Sequence, residues 1–372
     1  MVNILDFGAP TKANFLTAIA SGAKAIYFPE GEYDYTGTAI TLNRAITLYG
    51  DGPEATTIKL TNGFRTNTGG LNVRDLAFKA TTTSSSNIAF QTTFDGDGVD
   101  FSISGFNFTR CRFEGFFYST YLAGGLYAKA SDPAFVPLGY VTRVKITDCE
   151  SFAPATGNAG HFQHILTRDV VVSGCGTYGG AGATSYNFIG NNGYLRVLGN
   201  YDAFNSYGSC EIENQSGPAI VANNHFGSDL WIDDSSNVQA HANIVERDIL
   251  VTVQSFDVRN VSIIGNHASR IRVVKFGTTQ TNPLLVDAIL IAKNTLNGTG
   301  TYGIFVQDDN NRIKRVDIVG NFITGNYTSG SIGVVKYGNL YAQVRDNWLI
   351  NTGVIGVVVS GSAGTVTQTG NV

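Results

Sequence analysis

Charged residues are scarce in this chain, and so are the residues that favour long helices. Asp, Glu, Lys and Arg make up 15% of the 372 residues, and there is one methionine. The formal net charge of −4 does not favour a nucleic acid or an anionic membrane as partner. No apolar run approaches the roughly 20 residues that a membrane-spanning helix needs. These absences argue against helical, membrane-spanning and nucleic-acid-binding proteins.

Targeting and cysteine signals are also weak. The start, MVNILDFGAP, lacks the basic and apolar stretches of a signal peptide, so we expect a chain made in the cytoplasm without one. Four cysteines in so long a chain do not form a disulfide framework. No pair of them has the spacing of metal ligands.

Glycine and β-forming residues are plentiful instead. The chain contains 44 Gly and 23 Phe, with many Val, Ile, Thr and Asn, but only 8 Pro. This composition predicts many short strands that are joined by tight turns.

A short pattern recurs about every 25 residues, which is typical of a repeat protein. It consists of alternating β-formers, a small residue and then Asn or Cys, as in VSIIGN (261–266) and VDIVGN (316–321). We call the last residue of the pattern the ladder position. The ladder positions are Cys111, Cys149, Cys175, Asn200, Asn224, Asn243, Asn266, Asn294, Asn321, Asn347 and Asn371.

This period, with three short strands per repeat, predicts a solenoid of β-coils stacked about 4.8 Å apart. Asn side chains in one column can bond to backbone groups and to one another. We expect each Asn to sit at a bend in a left-handed backbone conformation. Buried thiols can occupy the same column. A Cys149–Cys175 bridge is geometrically conceivable, but free thiols are expected in a protein made in the cytosol.

The first 60 residues carry a second set of motifs. DFGA (6–9) is followed by a predicted helix near Asn14–Ala20, then by YFPEGEY (27–33) and LYGDG (48–52). This order resembles the N-terminal segment of the pectate-lyase-like superfamily, especially phage tailspikes and polysaccharide depolymerases. The resemblance implies an all-β, right-handed, single-stranded parallel β-helix with a short N-terminal capping helix. The repeat predicts about 11–12 coils.

The same motifs suggest how the chain is organised. We expect residues 1–50 to form an N-terminal cap and residues 51–372 to form one continuous β-helix, with a long loop near 114–140. The last ladder position, Asn371, is followed by a single residue. We therefore expect another subunit or a downstream domain to cover that end. The tailspikes that the chain resembles are homotrimers, so a homotrimer is expected.

Function in a β-helix must lie on outward side chains or in loops, because apolar stacks fill the core. In each repeat, the strand that carries the candidate functional residues lies about 10–14 residues before the ladder position. We take Phe162, Phe188, Ile212, Ile232 and Val253 as inward. Alternation along each strand then directs ten side chains outward: His161, Gln163, Asn187, Ile189, Glu211, Glu213, Trp231, Asp233, Thr252 and Gln254.

Three carboxylates of this face, Glu211, Glu213 and Asp233, form what we call the acidic cluster. The Cα atoms of Glu211 and Glu213 are expected about 6.5–7 Å apart, and those of Glu213 and Asp233 about 4.8 Å apart. Like charges this close raise at least one pKa. A protonated acid beside an ionised carboxylate is the pair that glycoside hydrolysis requires. The same residues also fit a solvated acidic face or a calcium site, although no cofactor is required.

The expected substrate-binding residues flank this cluster. Trp231 suits stacking on a sugar ring, or packing at an interface. The other predicted substrate-binding residues are His161, Gln163, Asn187, Gln254 and Tyr186.

Several further segments have competing interpretations. The Tyr- and Phe-rich stretch 114–140 could wall a groove or pack against a subunit. FDGDGVD (94–100) departs from calcium-loop spacing and is interpreted as a turn. His161 and His164 are three residues apart, so on one strand they point to opposite faces and do not suit a two-histidine metal site. His164 is therefore interpreted as a core or turn residue.

Three functions are consistent with these residues. The first is an endo-acting glycoside hydrolase that cleaves bacterial exopolysaccharide or capsule, of phage or prophage origin, in a virion tail or outside the cell. The second is a polysaccharide lyase of the same fold, with Arg270, Arg272 or a tyrosine as base. The third is a non-catalytic glycan-binding tailspike or adhesin that uses Trp231.

Overall fold

The computed structural model describes most of the chain, with gaps in several loops. The described residues are 1–84, 87–92, 102–125, 139–154, 159–180, 183–190, 193–203, 208–254, 256–275, 286–307, 313–336, 340–351, 353–361 and 364–372. The predicted turn at 94–100 and much of the predicted loop at 114–140 lie outside them. Within the described part of that loop, Tyr118–Ala123 is a strand.

The chain divides into two units, which are described separately. The first comprises residues within 1–128, 136–188 and 200–207, and the second residues within 189–199 and 208–372. Both are made of coils whose strands pair in parallel with the equivalent strands of neighbouring coils. The prediction of an all-β, right-handed parallel β-helix is confirmed.

A coil of the first unit has up to three strands. The strand that leads to the ladder position is the first strand, and the next two are the second and third strands. The first strands are Val2–Asn3, Ala25–Phe28, Ile46–Gly50, Leu71–Arg74, Ile103–Thr109, Val141–Thr147 and Thr167–Ser173. The second strands are Gly31–Asp34, Thr56–Leu60, Ala77–Ala80, Arg112–Glu114, Glu150–Ala153, Gly176–Gly179 and Tyr201–Asp202. The third strands are Ile40–Leu42, Phe64–Thr66, Ile88–Thr92, Tyr118–Ala123, Phe162–Ile165 and Tyr186–Ile189, of which Ile189 belongs to the second unit.

The second unit repeats the same plan, but several coils merge their last two strands into one long strand. Its first strands are Leu195–Leu198, Ala219–Ala222, Val238–His241, Val258–Ile264, Val286–Ala292, Arg315–Val319, Tyr341–Arg345 and Thr365–Thr369. Separate second strands are His225–Phe226 and Trp348–Asn351, and separate third strands are Cys210–Glu213, Leu230–Asp233 and Val357–Gly361. The merged strands are Ile244–Val253, His267–Lys275, Thr295–Gln307 and Phe322–Lys336.

The predicted capping helix is present in the first unit. A 3-10 turn at Ile4–Phe7 precedes an α-helix at Lys12–Ala20. The Thr11 side chain accepts a hydrogen bond from the backbone N–H of Asn14 and so caps the helix. Within the described residues, no helix is long and apolar enough to cross a membrane.

This helix closes an aromatic core. The Phe15 ring stacks on Tyr35 with centroids 5.0 Å apart, and Phe15 is fully buried. Farther along the same unit, Phe64 stacks on Phe90 at 4.9 Å. These columns of rings bury large apolar surfaces, so they stabilise a solenoid end that would otherwise expose unpaired strand edges.

The predicted asparagine column is present in the second unit, and we call it the asparagine ladder. In each pair of neighbouring coils, Nδ2 of one ladder residue donates to Oδ1 of the next, with N–O distances of 2.9–3.0 Å. That Oδ1 also accepts a bond from the backbone N–H of the preceding ladder residue, as Asn266 Oδ1 does from Asn243. The ladder consists of Asn224, Asn243, Asn266, Asn294, Asn321, Asn347 and Asn371.

Cysteines occupy equivalent positions in the first unit. Cys111, Cys149 and Cys175 are buried thiols that form no disulfide, and Cys210 elsewhere is likewise a buried thiol. Cys149 Sγ accepts a hydrogen bond from the backbone N–H of Cys111 at 3.4 Å. Burial raises the pKa of the Cys149 and Cys175 thiols well above the ordinary value. The expectation of free thiols is confirmed, and these two are poor nucleophiles.

One detail of the ladder prediction is wrong, because the left-handed residue is the one before each ladder position. Gly265 (φ 66°), Ala242 (φ 54°) and Lys293 (φ 55°) precede ladder asparagines and adopt this conformation, whereas the asparagines do not. This conformation explains why glycine often precedes the ladder residue, since a Cβ is strained there.

Loss of one ladder side chain is expected to destabilise the second unit strongly. Asn266→Ala removes donors and acceptors that bond to Ala240, Asn243 and Asn294, and it leaves buried polar groups without partners. We expect the free energy of unfolding to fall by roughly 3 kcal/mol or more, as measured by urea denaturation. Asn297→Ala, at an exposed strand position, is the control and should change stability by less than about 0.5 kcal/mol. Equal effects of the two substitutions would contradict a stabilising ladder.

The left-handed position predicts effects of opposite sign for two reciprocal substitutions. A Cβ on Gly265 would meet no atom within 4 Å, so Gly265→Ala tests backbone strain alone. We expect it to lower the free energy of unfolding by about 1 kcal/mol, and Ala242→Gly to raise it by a similar amount. Thermal denaturation of both variants measures this, and a stabilising Gly265→Ala would refute the interpretation.

Candidate active site

Two adjacent third strands of the second unit present the acidic cluster. In Cys210–Glu213 and Leu230–Asp233, buried and half-buried residues alternate. Ile212 and Ile232 are fully buried, so their neighbours Glu211, Glu213, Trp231 and Asp233 face outward. The parallel register pairs Glu211 with Trp231, and Glu213 with Asp233. The predicted proximity of the three carboxylates is therefore confirmed.

The next coil fixes the Asp233 carboxylate. Thr252 lies opposite Asp233 in the register, and its hydroxyl donates to Asp233 Oδ1. The side-chain amide of Gln254 donates to Oδ2 at 3.0 Å. Both oxygens of Asp233 thus accept hydrogen bonds, and these bonds orient the group and favour its ionised form.

Burial and repulsion act most strongly on Glu213. Burial is the larger cause and the charges of Glu211, Asp233 and Asp234 add to it, so that the pKa of Glu213 rises to about 7. Burial also raises the pKa of Asp233, but its hydrogen bonds from Thr252 and Gln254 oppose the rise. A carboxyl that carries its proton near neutral pH therefore lies opposite a carboxylate that hydrogen bonds hold in place.

Four of the predicted substrate-binding residues are buried, namely His161, Gln163, Tyr186 and Asn187. His161 is fully buried in the first unit, where Nδ1 lies 2.6 Å from Ser151 Oγ and Nε2 lies 3.3 Å from Gly179 O. Burial lowers the pKa of His161 to about 4, so the imidazole is neutral at neutral pH. The residue precedes the regular strand Phe162–Ile165, and alternation does not govern its direction.

Tyr186 is a core residue for a different reason. Its ring stacks on Phe162 with centroids 5.7 Å apart. Its hydroxyl donates to the carbonyl oxygens of Cys175 and Tyr201, both at 3.1 Å. With its only polar group satisfied inside the coil, Tyr186 cannot contact a ligand at the surface.

Gln163 and Asn187 also lie in the first unit, with 7% and 9% of their surfaces exposed. Their predicted position beside the acidic cluster stays a prediction. The interpretation of His164 as a core residue is confirmed, because its ring is buried and packs edge-on against Phe188.

A second polar cluster joins Arg270 and Arg272, which the sequence reasoning singled out as a runner-up site, to Asp248, which it did not single out. This carboxylate is 5% exposed and accepts two hydrogen bonds from Arg270, at 2.9 and 2.7 Å. Arg272 Nη2 lies 2.9 Å from the same carboxylate. The sequence signal was available, because Arg270 and Arg272 are two residues apart on one strand and Asp248 pairs with Arg270 on the preceding strand.

No group of three or more His, Cys, Asp or Glu side chains is arranged to hold a metal ion in the described parts of the chain. The acidic cluster itself combines two hydrogen-bonded oxygens on Asp233 with Glu213, whose pKa is raised to about 7. This arrangement suits proton transfer better than the fully ionised oxygen set that calcium prefers.

The titration of Glu213 is directly measurable. Carbon NMR of the carboxyl groups should find Glu213 titrating near pH 7, and Asp233→Asn should lower that pKa because one repelling charge is removed. The pKa should stay above the ordinary 4.5, since burial is the larger cause. A Glu213 that titrates near pH 4.5 in the unaltered protein would contradict the described environment.

Comparisons with known proteins support the fold. No protein-family model matches the sequence, and no characterised protein sequence matches it. Among solved structures, gene product 12 of bacteriophage phi29, in its pre-mature form, is similar with a TM-score of 0.59 at 14% identity. That similarity covers 100% of this chain and 56% of the phage protein.

Two enzymes show a weaker similarity. The A-module of a mannuronan C-5 epimerase from Azotobacter vinelandii has a TM-score of 0.45 at 18% identity. The match covers 100% of this chain and 99% of the A-module. The catalytic unit of an alpha-1,3-glucanase from Streptomyces thermodiastaticus has a TM-score of 0.41 at 15% identity, covering 100% and 68%. At these identities, the phage protein's likeness establishes a shared parallel β-helix fold, as the N-terminal motifs implied, and nothing about chemistry.

Proposed function

We propose that this chain is an endo-acting polysaccharide hydrolase in which the acidic cluster cleaves a glycosidic bond. The observation that carries the proposal is the pairing of Glu213 with Asp233 on adjacent outward strands, with both oxygens of Asp233 hydrogen-bonded. Glycoside hydrolysis needs one carboxyl that donates a proton and a second that is ionised.

The environments of the two groups suggest their roles. Glu213 is the general acid, since its raised pKa keeps a proton available near pH 7. Asp233 is the base or nucleophile, because hydrogen bonds from Thr252 and Gln254 orient it and favour its ionised form. Glu211 raises the pKa of Glu213 and is the alternative second carboxylate.

The surroundings suit a long polymer. The cluster lies on the side of a coil, and Trp231 stands half-buried opposite Glu211, where its ring can support a sugar. A bacterial surface polysaccharide as substrate, a location in a virion tail or outside the cell, and a homotrimer extend the proposal. These extensions rest on the N-terminal resemblance.

A lyase that uses Arg270 as base is the weaker alternative. Hydrogen bonds and charge from Asp248 raise the pKa of Arg270, so this guanidinium holds its proton more firmly than usual. Arg272 is paired with the same carboxylate. A base must be deprotonated before it can accept a proton, whereas the Asp248 carboxylate stabilises the protonated guanidinium of Arg270.

Substitution and pH dependence together test the assigned roles. On a polysaccharide that the unaltered protein cleaves, Glu213→Gln should lower kcat by about 10²–10⁴-fold, because the general acid is lost. kcat/KM of the unaltered enzyme should fall as pH rises above about 7, where Glu213 loses its proton. Asp233→Asn should likewise remove most activity.

The matched control is Glu246→Gln, which alters an exposed glutamate that pairs with His225 outside the cluster. It should keep full activity and an unchanged pH profile. Full activity in both Glu211→Gln and Glu213→Gln would refute the proposed hydrolysis and favour a non-catalytic glycan-binding module.

A further inference from the structure

A groove of about 240 Å³ lies on the second unit beside the Asp248 cluster. Its walls are formed by Arg270, Arg272, Thr301, Tyr302 and Phe305. Neither the acid nor the base of the proposed reaction lies in it, so the groove needs a separate explanation.

The groove carries excess positive charge. Two guanidinium groups share the single carboxylate of Asp248, while neighbouring Arg247 lies near Asp229, with 3.8 Å between Nε and Oδ1. Arg270 uses Nε and Nη2 for Asp248, which leaves Nη1 for another acceptor. About a third of each arginine side chain is exposed, against 5% of Asp248, so the positive groups reach the surface and the negative one does not.

A flat aromatic surface forms the other wall. The rings of Tyr302 and Phe305 are 5.0 Å apart and nearly parallel, with 3° between their planes. Gly333 makes room for this arrangement, because a Cβ there would lie 2.7 Å from the Tyr302 ring. Stacked rings beside hydrogen-bond donors suit a sugar ring, whose apolar face packs on aromatics.

The register places the groove in line with the acidic cluster. Trp231 pairs with Leu250, Leu250 with Arg272, and Arg272 with Phe305. Arg272 therefore lies two coils beyond Trp231 on the same outward column, about 10 Å away. A polysaccharide that runs along the coils from the carboxylates would reach the groove.

We propose that this groove is a subsite for a carboxylate-bearing sugar, so that the substrate of the proposed hydrolase is an acidic polysaccharide of the uronic-acid type. The proposal rests on the proposed function. A planar carboxylate matches the fork of a guanidinium better than a neutral hydroxyl does. The ring carrying it would stack on Tyr302 or Phe305.

Binding is tested with oligosaccharides of galacturonate, of mannuronate and of alternating glucuronate, each beside its carboxyl-reduced neutral counterpart. Isothermal titration calorimetry with Glu213→Gln avoids turnover. At least one acidic oligosaccharide should bind tenfold or more tightly than its reduced counterpart, with the preference weakening as salt is raised. Arg272→Gln should remove about tenfold or more of that affinity, since a charge-assisted hydrogen bond is lost.

Arg247→Gln is the matched control, because it alters a neighbouring arginine outside the groove and should keep the affinity. Arg270 stays bonded to Asp248 in Arg272→Gln, so the buried carboxylate keeps a partner, and a thermal scan checks the fold. Tyr302→Ala, which leaves the charges untouched, should also weaken binding.

Three results would overturn the subsite: no acidic oligosaccharide that binds better than its reduced counterpart, equal affinity for a sulfated galactan oligosaccharide, or unchanged affinity in Arg272→Gln. Binding and cleavage are separate readouts. Acid-selective binding without cleavage of the parent polymers would refute the hydrolase and keep the subsite. If the protein cleaves a neutral polymer and Arg272→Gln cleaves it at an unchanged rate, the subsite is refuted and the hydrolase is kept.

Discussion

The hydrogen-bonded column of asparagine side chains is the constraint on which the second unit depends. From Asn243 onward, each ladder Oδ1 accepts both a side-chain and a backbone N–H from the preceding ladder residue, so the column fixes which residue of one coil lies over which residue of the next. A register that slipped by one residue would turn every outward side chain inward. The bend that the ladder requires is supplied by the left-handed residue before each asparagine, and this is why glycine recurs there.

That register makes the chemistry of the outward face possible. It sets Glu213 against Asp233 and extends the same column through Leu250 to Arg272. Carboxylates that are far apart in a flexible chain would all ionise at neutral pH. Held on adjacent coils and partly buried, they titrate differently, because burial and neighbouring charges raise the pKa of Glu213, whereas hydrogen bonds from Thr252 and Gln254 oppose the rise at Asp233. The proposed division into an acid and a base therefore follows from the packing of coils.

The sequence predicted the parts of the structure that repeat. Asn266 and its equivalents and the outward direction of Glu211, Glu213 and Trp231 follow from periodicity, because neighbouring coils impose the same geometry on each copy. The capping helix before YFPEGEY was implied by the N-terminal resemblance instead. The prediction for His161 failed because regular alternation stops where a strand ends. His161 sits just outside its strand, and its ring turns inward to Ser151.

Other features depended on contacts between distant residues. Tyr186 has the parity of a core residue, and only its hydrogen bonds to Cys175 and Tyr201 show that its hydroxyl is satisfied there. Asp248 lies in a merged strand with a register shift between Val245 and Asp248, so alternation counted from the preceding coil could not place it. Left-handed backbone at Ala242 likewise has no composition signal, since alanine does not favour it.

The most direct measurement is the chemistry of the product. The protein would be incubated with purified exopolysaccharides and capsular polysaccharides from a panel of bacteria, while reducing ends and ultraviolet absorbance are followed together. Hydrolysis by Glu213 and Asp233 predicts reducing ends that rise without new absorbance. A parallel rise in absorbance would show elimination, and reducing ends that stay constant in the presence of a bound polysaccharide would show recognition without cleavage; either result would contradict the account.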